Sequence, residues 1–246
     1  NRGVRSCDFV QRVFKSSPSL AMSSIAPGTP YKDIETPSLL LMMDQFEGNL
    51  ARMQKRADAM GVNLRPHAKS LKSSFLGKMQ VSEGAVGLCA AKVTEVEKLI
   101  NGGINDVLLT NEVVDRSKLE RLANLLVESN KSAPTKLGIC VDNPRNIEMI
   151  QSVFSAVSQK IDIYIEIDVG QGRCGVKPGE ACADLAEKVL SFGTSSALSL
   201  KGIQAYSGWN QHIQEVSKRI TATENGPILG VKQSLEAIHK RGIPID

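Results

Sequence analysis

Aromatic residues are scarce in this 246-residue sequence, at 4% with a single tryptophan. Long apolar runs are missing altogether. No stretch approaches ~18 consecutive apolar residues, which excludes a membrane-spanning helix. Charge of one sign is not in excess: 30 Lys and Arg stand against 26 Asp and Glu, a net charge of +4. Without clustered basic residues or many stacking rings the chain is poorly equipped for nucleic acid, so no such partner is expected. Disulfide and zinc frameworks are also missing. Cys7, Cys89, Cys140, Cys174 and Cys182 are odd in number, far apart and form no C-x-x-C pair, a usage that fits a reducing compartment. What is present is ordinary globular material, 41% hydrophobic and 23% charged. Its length suffices for a sizeable core without staples.

Residues 1–21 carry Arg2, Arg5, Arg12 and Lys15 against a single Asp8, with four serines. That composition suits an organelle transit peptide, which would make the protein mitochondrial or plastid. It suits equally a stretch upstream of a start at Met22, which would leave the protein cytoplasmic. Pro18, Pro27, Gly28 and Pro30 then mark a linker, so residues 1–35 are read as an extension and 36–246 as the folded body.

From Thr36 onward two kinds of segment alternate. Short β-branched or leucine-rich runs occur at 38–43, 62–68, 86–90, 106–110, 136–141, 161–169 and 199–206. Between them lie helix-length stretches with apolar residues three and four apart, such as Val114, Leu119, Leu122 and Leu126 within 114–127. Asp142 and Asn143 sit where an N-cap belongs, and Gly102 and Gly103 where a helix ends. Regular strand–helix alternation predicts a parallel sheet covered by helices, either doubly wound or closed into a barrel. A last helix over about 228–241 stops at Gly242. Ile243-Pro244-Ile245-Asp246 then reads as the start of another strand, so a C-terminally truncated chain is expected.

Side chains alternate faces along a strand. Arg65, His67 and Lys69 therefore share a face, as do Tyr164, Glu166 and Asp168, and Gln204 with Tyr206. Aliphatic faces packed on helices would turn these polar faces inward, where unpaired charges cost several kcal/mol each unless something binds them. Three such strands together favour a (β/α) barrel with a polar site at its C-terminal mouth. Gly170-Gln171-Gly172-Arg173-Cys174-Gly175 matches G-x-G-x-x-G, but Pro178 opens the next helix, so all three glycines stay in the loop. No acid follows at the end of the next strand to hold a ribose. The stretch reads instead as a tight loop presenting Arg173. Lys69 ends its strand beside Arg65 and His67, whose charges disfavour its own and free an amine for a carbonyl-bearing cofactor such as pyridoxal phosphate.

The ordered motifs Thr36-Pro37-Ser38-Leu39-Leu40-Leu41, Arg65-Pro66-His67-Ala68-Lys69-Ser70, Gly87-Leu88-Cys89-Ala90-Ala91-Lys92, Leu109-Thr110-Asn111-Glu112, Glu166 through Val176, and Gln204-Ala205-Tyr206 through Gln211-His212 resemble the D-threonine aldolase and D-serine dehydratase family. The resemblance implies a (β/α)8 barrel of the alanine-racemase type, incomplete at its C-terminus, with the C-terminal β domain outside this chain. It places the first strand, 38–43, in that second domain. It implies pyridoxal 5'-phosphate held by Lys69, with His67 and Arg65 on the same strand, Arg173 and Tyr206 near the ring, Gln204 beside them, and His212 as the catalytic base. A histidine often found two places after the cofactor lysine is Leu71 here. The phosphate loop and the ligands of a divalent metal (Mn, Mg or Zn) are expected beyond Asp246, so no metal site is expected within this chain, and the chain alone is expected to be inactive.

The expected activity is cleavage of a small 3-hydroxy-D-amino acid to glycine and an aldehyde. The alternatives are dehydration of D-serine or 3-hydroxy-D-aspartate to an oxo acid and ammonia, and a pyridoxal phosphate-binding protein without turnover. Family analogy implies a homodimer. Cys89 and Cys174 are read as packing or loop cysteines.

Overall fold

The computed structural model describes residues 25–245. The transit-peptide reading of residues 1–21, and Cys7, lie outside them. The chain divides between Phe46 and Glu47 into two compact units. In the first, the expected strand over 38–43 does not form. Leu39 is fully exposed and Leu40, Leu41 and Met42 are largely so. A strand needs a neighbour to bond its N–H and C=O groups, and among the described residues none pairs with this run. Helix α1, Met43–Ala59, follows it.

The second unit alternates as the periodicity predicts. Its elements are α2 (Ser74–Glu83), β1 (Leu88–Ala90), α3 (Val93–Asn101), β2 (Asp106–Leu109), α4 (Arg116–Asn130), β3 (Lys136–Val141), α5 (Pro144–Ala156), β4 (Ile161–Glu166), α6 (Glu180–Leu190), β5 (Leu198–Gln204), α7 (Val216–Thr223) and α8 (Leu229–Lys240). The five strands are all parallel and lie in the order β1-β2-β3-β4-β5. A doubly wound sheet reverses its strand order at a switch point; this one never does. Winding in one direction is that of a barrel wall, and the wall is not closed among the described residues.

Local chemistry sets the element ends. Asn143, not Asp142, caps α5, accepting the Arg145 N–H, with Pro144 at the first helical position. Asp115 caps α4 through the Ser117 N–H. On α4 the stripe Leu119, Leu122, Ala123 and Leu126 is buried, while Val114 lies before the helix and is exposed. Ile161, Ile163 and Ile165 on β4 and Ile147, Ile150 and Phe154 on α5 belong to the same core, each side chain contributing roughly 1.5–3 kcal/mol through burial. Between α7 and α8 the chain passes through a π-helical turn, Glu224–Ile228, containing Pro227. A proline donates no hydrogen bond, and a π turn is one way a helix accommodates the gap.

Other expected strands differ as well. The 62–68 run does not form a ladder, because Pro66 has no N–H to contribute. It still lies along β1: the Leu64 and Pro66 carbonyls accept from Val86 and Cys89 at 2.9 and 2.8 Å, and Ala68 donates to the Cys89 carbonyl at 2.8 Å. The 161–169 run ends as a strand at Glu166, beyond which Ile167 makes an isolated bridge to Val176. Ile243–Ile245 forms no strand; Ile243 is buried in the core instead.

Candidate active site

The alternation along 64–69 brings Arg65, His67 and Lys69 to one face, but their surroundings differ. Arg65 is half-buried and forms a bidentate pair with Asp106 at the start of β2, with Nη2–Oδ2 at 3.2 Å. Burial pulls the guanidinium pKa down, and the Asp106 hydrogen bond and charge more than reverse this. His67 Nδ1 accepts the Lys69 backbone N–H at 3.3 Å, and Nε2 lies 3.3 Å from Thr110 Oγ1. The Thr110 hydroxyl itself donates to the Ala90 carbonyl. That arrangement assigns the proton to Nε2, donating to Thr110, and leaves Nδ1 as acceptor. Burial first, then the Lys69 charge, lowers the His67 pKa, consistent with a neutral ring. Lys69 is exposed. Of the two cations expected beside it, Arg65 is engaged by Asp106 and His67 is neutral.

Facing this strand is the end of β5 and the loop after β4. Gly170 and Gly172 adopt positive φ, and both donate to Asp168 Oδ1 at 3.0 Å. These amides, Gly172 foremost, hold the Asp168 carboxyl below its usual range. Asp168 thus organises the loop rather than extending the strand face. The loop carries Arg173, whose Cζ lies 5.1 Å from the centre of the Tyr206 ring; Lys69 Nζ lies 5.9 Å from the same centre. Gly208 makes room for that ring, because a Cβ there would stand 2.6 Å from Tyr206 Oη.

Arg65, His67, Lys69, Arg173, Gln204 and Tyr206 line one cavity of about 350 Å³, together with Cys89, Ala91, Thr110 and Asn111. This brings together all the candidate residues except His212. That histidine is exposed, in the single turn Trp209–His212, with its ring edge-on to Trp209 at 5.7 Å between centroids. Thr110 stands in a recognised motif without an assigned role, and Cys89 in one where it reads as a packing or loop cysteine. Burial pushes the Cys89 thiol up to about 11, which leaves it a neutral wall residue.

A second cluster gathers where β2, β3 and β4 end. Glu112, Asp142 and Cys174 bring donor atoms within 4.8 Å of one another, a spread that could hold a metal ion. Beside them lies Glu166, with only 3% of its surface exposed. Asp142 Oδ2 accepts the Gly175 N–H at 3.0 Å, and Glu112 Oε1 is buried with no hydrogen-bond partner. Burial, then Glu112, raises the Cys174 thiol to about 11, so a metal ion bound there would have to displace the thiol proton. The cluster's sequence signal is slight: Glu112 follows a strand by three residues, and Asp142 read as a helix cap.

A family model described as the alanine racemase N-terminal domain matches residues 41–224. The 3-hydroxy-D-aspartate aldolase of Paracoccus denitrificans (strain Pd 1222) is 38% identical over 88% of this chain and 54% of that protein. The D-threonine aldolase of an Arthrobacter species is 37% identical over 78% of this chain and 48% of that protein. Among solved structures, the D-threonine aldolase from Filomicrobium marinum superposes with a TM-score of 0.81 at 36% identity, covering 87% of this chain and 55% of that one. The chain thus spans about half the length of the curated relatives it matches.

Proposed function

The chain belongs to the alanine racemase N-terminal domain family, and we propose on that premise that it is part of a pyridoxal 5'-phosphate- and divalent-metal-dependent lyase that cleaves 3-hydroxy-D-amino acids to glycine and an aldehyde. The observation that carries the reading is the cavity that gathers Lys69, His67, Arg65, Arg173, Gln204 and Tyr206. An exposed primary amine, an aromatic face and flanking cations fit an anionic aromatic aldehyde. Bound there, pyridoxal phosphate would supply an aldehyde carbon for the amine and a ring that accepts the electron pair released at substrate Cα.

Position in the cavity supports the roles of the residues that line it, and only the family resemblance supports that of His212. Lys69 holds the cofactor through its Nζ, and the segment leading to it is tied to β2 by the Arg65–Asp106 pair. His67, neutral and fixed by Thr110, offers a flat polar wall without competing for protons. Tyr206 and Arg173 present a stacked face against the ring, and Gln204 ties this wall to Glu166 with a 3.1 Å hydrogen bond. His212, on the segment following Tyr206, takes the proton of the substrate 3-hydroxyl. A divalent metal, when bound, would supply the Lewis acidity that makes the 3-hydroxyl proton easier to remove.

The dehydratase reading keeps the same cavity and draws on the D-threo-3-hydroxyaspartate dehydratase of Delftia sp. (strain HT23), 27% identical to this chain. The higher identity to named aldolases favours cleavage. A homodimer and a cytoplasmic or organellar location belong to the same proposal; the unpaired thiols of Cys89, Cys140, Cys174 and Cys182 accord with a reducing compartment. No described helix is long and apolar enough to cross a membrane.

The test is product analysis with the full-length protein, cofactor and metal. Glycine and acetaldehyde from D-threonine are expected. Ammonia and pyruvate from D-serine would move the assignment to dehydration, and pyridoxal phosphate binding without either product would reduce it to a carrier.

A further inference from the structure

We propose that Gln171 is a positioning residue: its side-chain carbonyl accepts the Gly208 N–H at 3.0 Å, and so fixes the turn bearing Tyr206 and His212 against the loop bearing Arg173. The inference deepens the lyase reading and rests on it for what the fixed turn does in catalysis; the tether itself is a property of the chain.

Gln171 stands at the tip of a loop that is already closed at its neck. There the Asp168 N–H donates to the Val176 carbonyl at 2.9 Å, and the Val176 N–H donates to the Glu166 carbonyl at 3.0 Å. Inside the loop the Asp168 carboxylate gathers the N–H groups of Gly170 and Gly172, the two neighbours of Gln171. Ordering a glutamine costs backbone and rotamer freedom. With both flanking amides held, the backbone part of that cost falls on the loop and not on the contact the side chain makes.

The acceptor matters because of where the Gly208 N–H lies. Gly208 is buried, and a buried N–H without an acceptor is costly. A Cβ at Gly208 would stand 2.6 Å from Tyr206 Oη and 3.0 Å from Gln171 Oε1, so the tyrosine ring folds back over the residue that the glutamine holds. Farther along, the turn is fastened to α7. Asn210 Nδ2 donates to Thr223 Oγ1 at 2.9 Å, and Arg219 Nη1 donates to the Ile213 carbonyl at 2.9 Å. Gln171 thus holds the front of the Tyr206–His212 segment and α7 holds its back.

A second contact crosses the same gap. Arg173, two residues after Gln171, stacks on Tyr206, two residues before Gly208, at 5.1 Å. Such a stack tolerates sliding over several ångströms, whereas a hydrogen bond to a backbone N–H prescribes both length and angle. The Gln171–Gly208 bond therefore sets the register in which the stack forms, and with it the face that Tyr206 turns to the cavity. A misplacement of about 1 Å can cost on the order of 100-fold in rate.

The test compares the full-length protein with Gln171→Met, which keeps the length of the side chain and loses the acceptor. Hydrogen exchange at the Gly208 amide is expected to be slow in the parent and about tenfold or more faster in the variant, with the amides of β4 and β5 unchanged. An unprotected Gly208 in the parent, or an equal rate in both, overturns the tether. The ring ¹³C signals of Tyr206, identified by their loss in Tyr206→Phe, should shift in Gln171→Met and return in Gln171→Glu, which restores an oxygen acceptor. With pyridoxal phosphate and metal, kcat for D-threonine should fall about tenfold or more in Gln171→Met and recover to within roughly threefold of the parent in Gln171→Glu. Borohydride labelling of Lys69 should persist in both. Unmoved Tyr206 signals, or an unchanged kcat beside an accelerated Gly208 amide, overturn the positioning. Equal losses in the two variants overturn the hydrogen bond as its cause. Should Gln171→Met fail to fold, Gln171→Asn, whose carbonyl is one methylene short of Gly208, answers the same three measurements. Absence of D-threonine cleavage by the parent defeats the lyase reading alone, and the exchange rate and the Tyr206 signals still decide the tether.

Discussion

Arg173 and Tyr206 come from different βα units, yet the guanidinium carbon lies 5.1 Å from the centre of the phenol ring. The stack is held from both sides. A glycine-rich loop tied by Asp168 delivers the arginine, and Gly208 leaves room for the tyrosine. Lys69 Nζ lies 5.9 Å from the centre of the same ring, so one aromatic ring is shared by two cations.

Replacing Lys69 by alanine is expected to abolish covalent capture of pyridoxal phosphate without loss of stability, because the side chain is exposed and surface substitutions usually cost within ~0.5 kcal/mol. Borohydride reduction followed by peptide mapping is the measurement. A pyridoxyl tag on another lysine in the wild-type chain would reassign the anchor.

Glu166 gives stability a pH dependence. Its carboxyl keeps a proton up to about pH 7 in the native chain, against an ordinary value of 4.5. Between those values the native state binds more protons than the unfolded one, so stability falls as pH rises through the window and levels off above it. At ~1.4 kcal/mol per unit the loss reaches about 3 kcal/mol at most. Urea titrations at pH 5 and pH 8 should show the difference shrink in Glu166→Gln; an equal difference in both proteins would refute the linkage.

Asp106→Ala should destabilise the chain by about 1–3 kcal/mol, because a half-buried guanidinium loses its bidentate partner. The same change releases Arg65 at the base of the cavity. Pyridoxal phosphate affinity, measured beside the unfolding midpoint, is expected to change as well; an unchanged midpoint would mean that solvent satisfies Arg65.

Phe154→Ala tests the core away from the cavity. The ring is fully buried, and its removal is expected to cost about 3–5 kcal/mol through lost burial and a cavity. Lys69 labelling should persist under native conditions. A cost below ~1 kcal/mol would mean that the helix layer collapses to fill the space.

The sequence made the sheet legible because its strands and helices differ in period, and Ile161, Ile163 and Ile165 against Tyr164 and Glu166 show the two-residue alternation plainly. Strand order settled what periodicity left open between a doubly wound sheet and a barrel wall. Loops were harder to read. Glu112 and Asp142 meet Glu166 and Cys174 only because three strand ends converge, and no local pattern encodes that convergence. The leucines at 38–42 promised a strand on propensity, but a strand also requires a neighbour. His212 stood at a family spacing, yet the structure leaves it edge-on to Trp209, outside the cavity that collects the other candidates.

The sequential order of the sheet has one more consequence. Lys69 belongs to the segment before β1, and Tyr206 follows β5. At about 4.8 Å per strand, a flat ribbon of that width would hold its two borders about 24 Å apart. Side chains from both borders nevertheless line one cavity, so the ribbon bends. The aperture is therefore set by the curvature of every strand between its two sides. A change deep in β3 or β4, touching no ligand, can widen or narrow the bore.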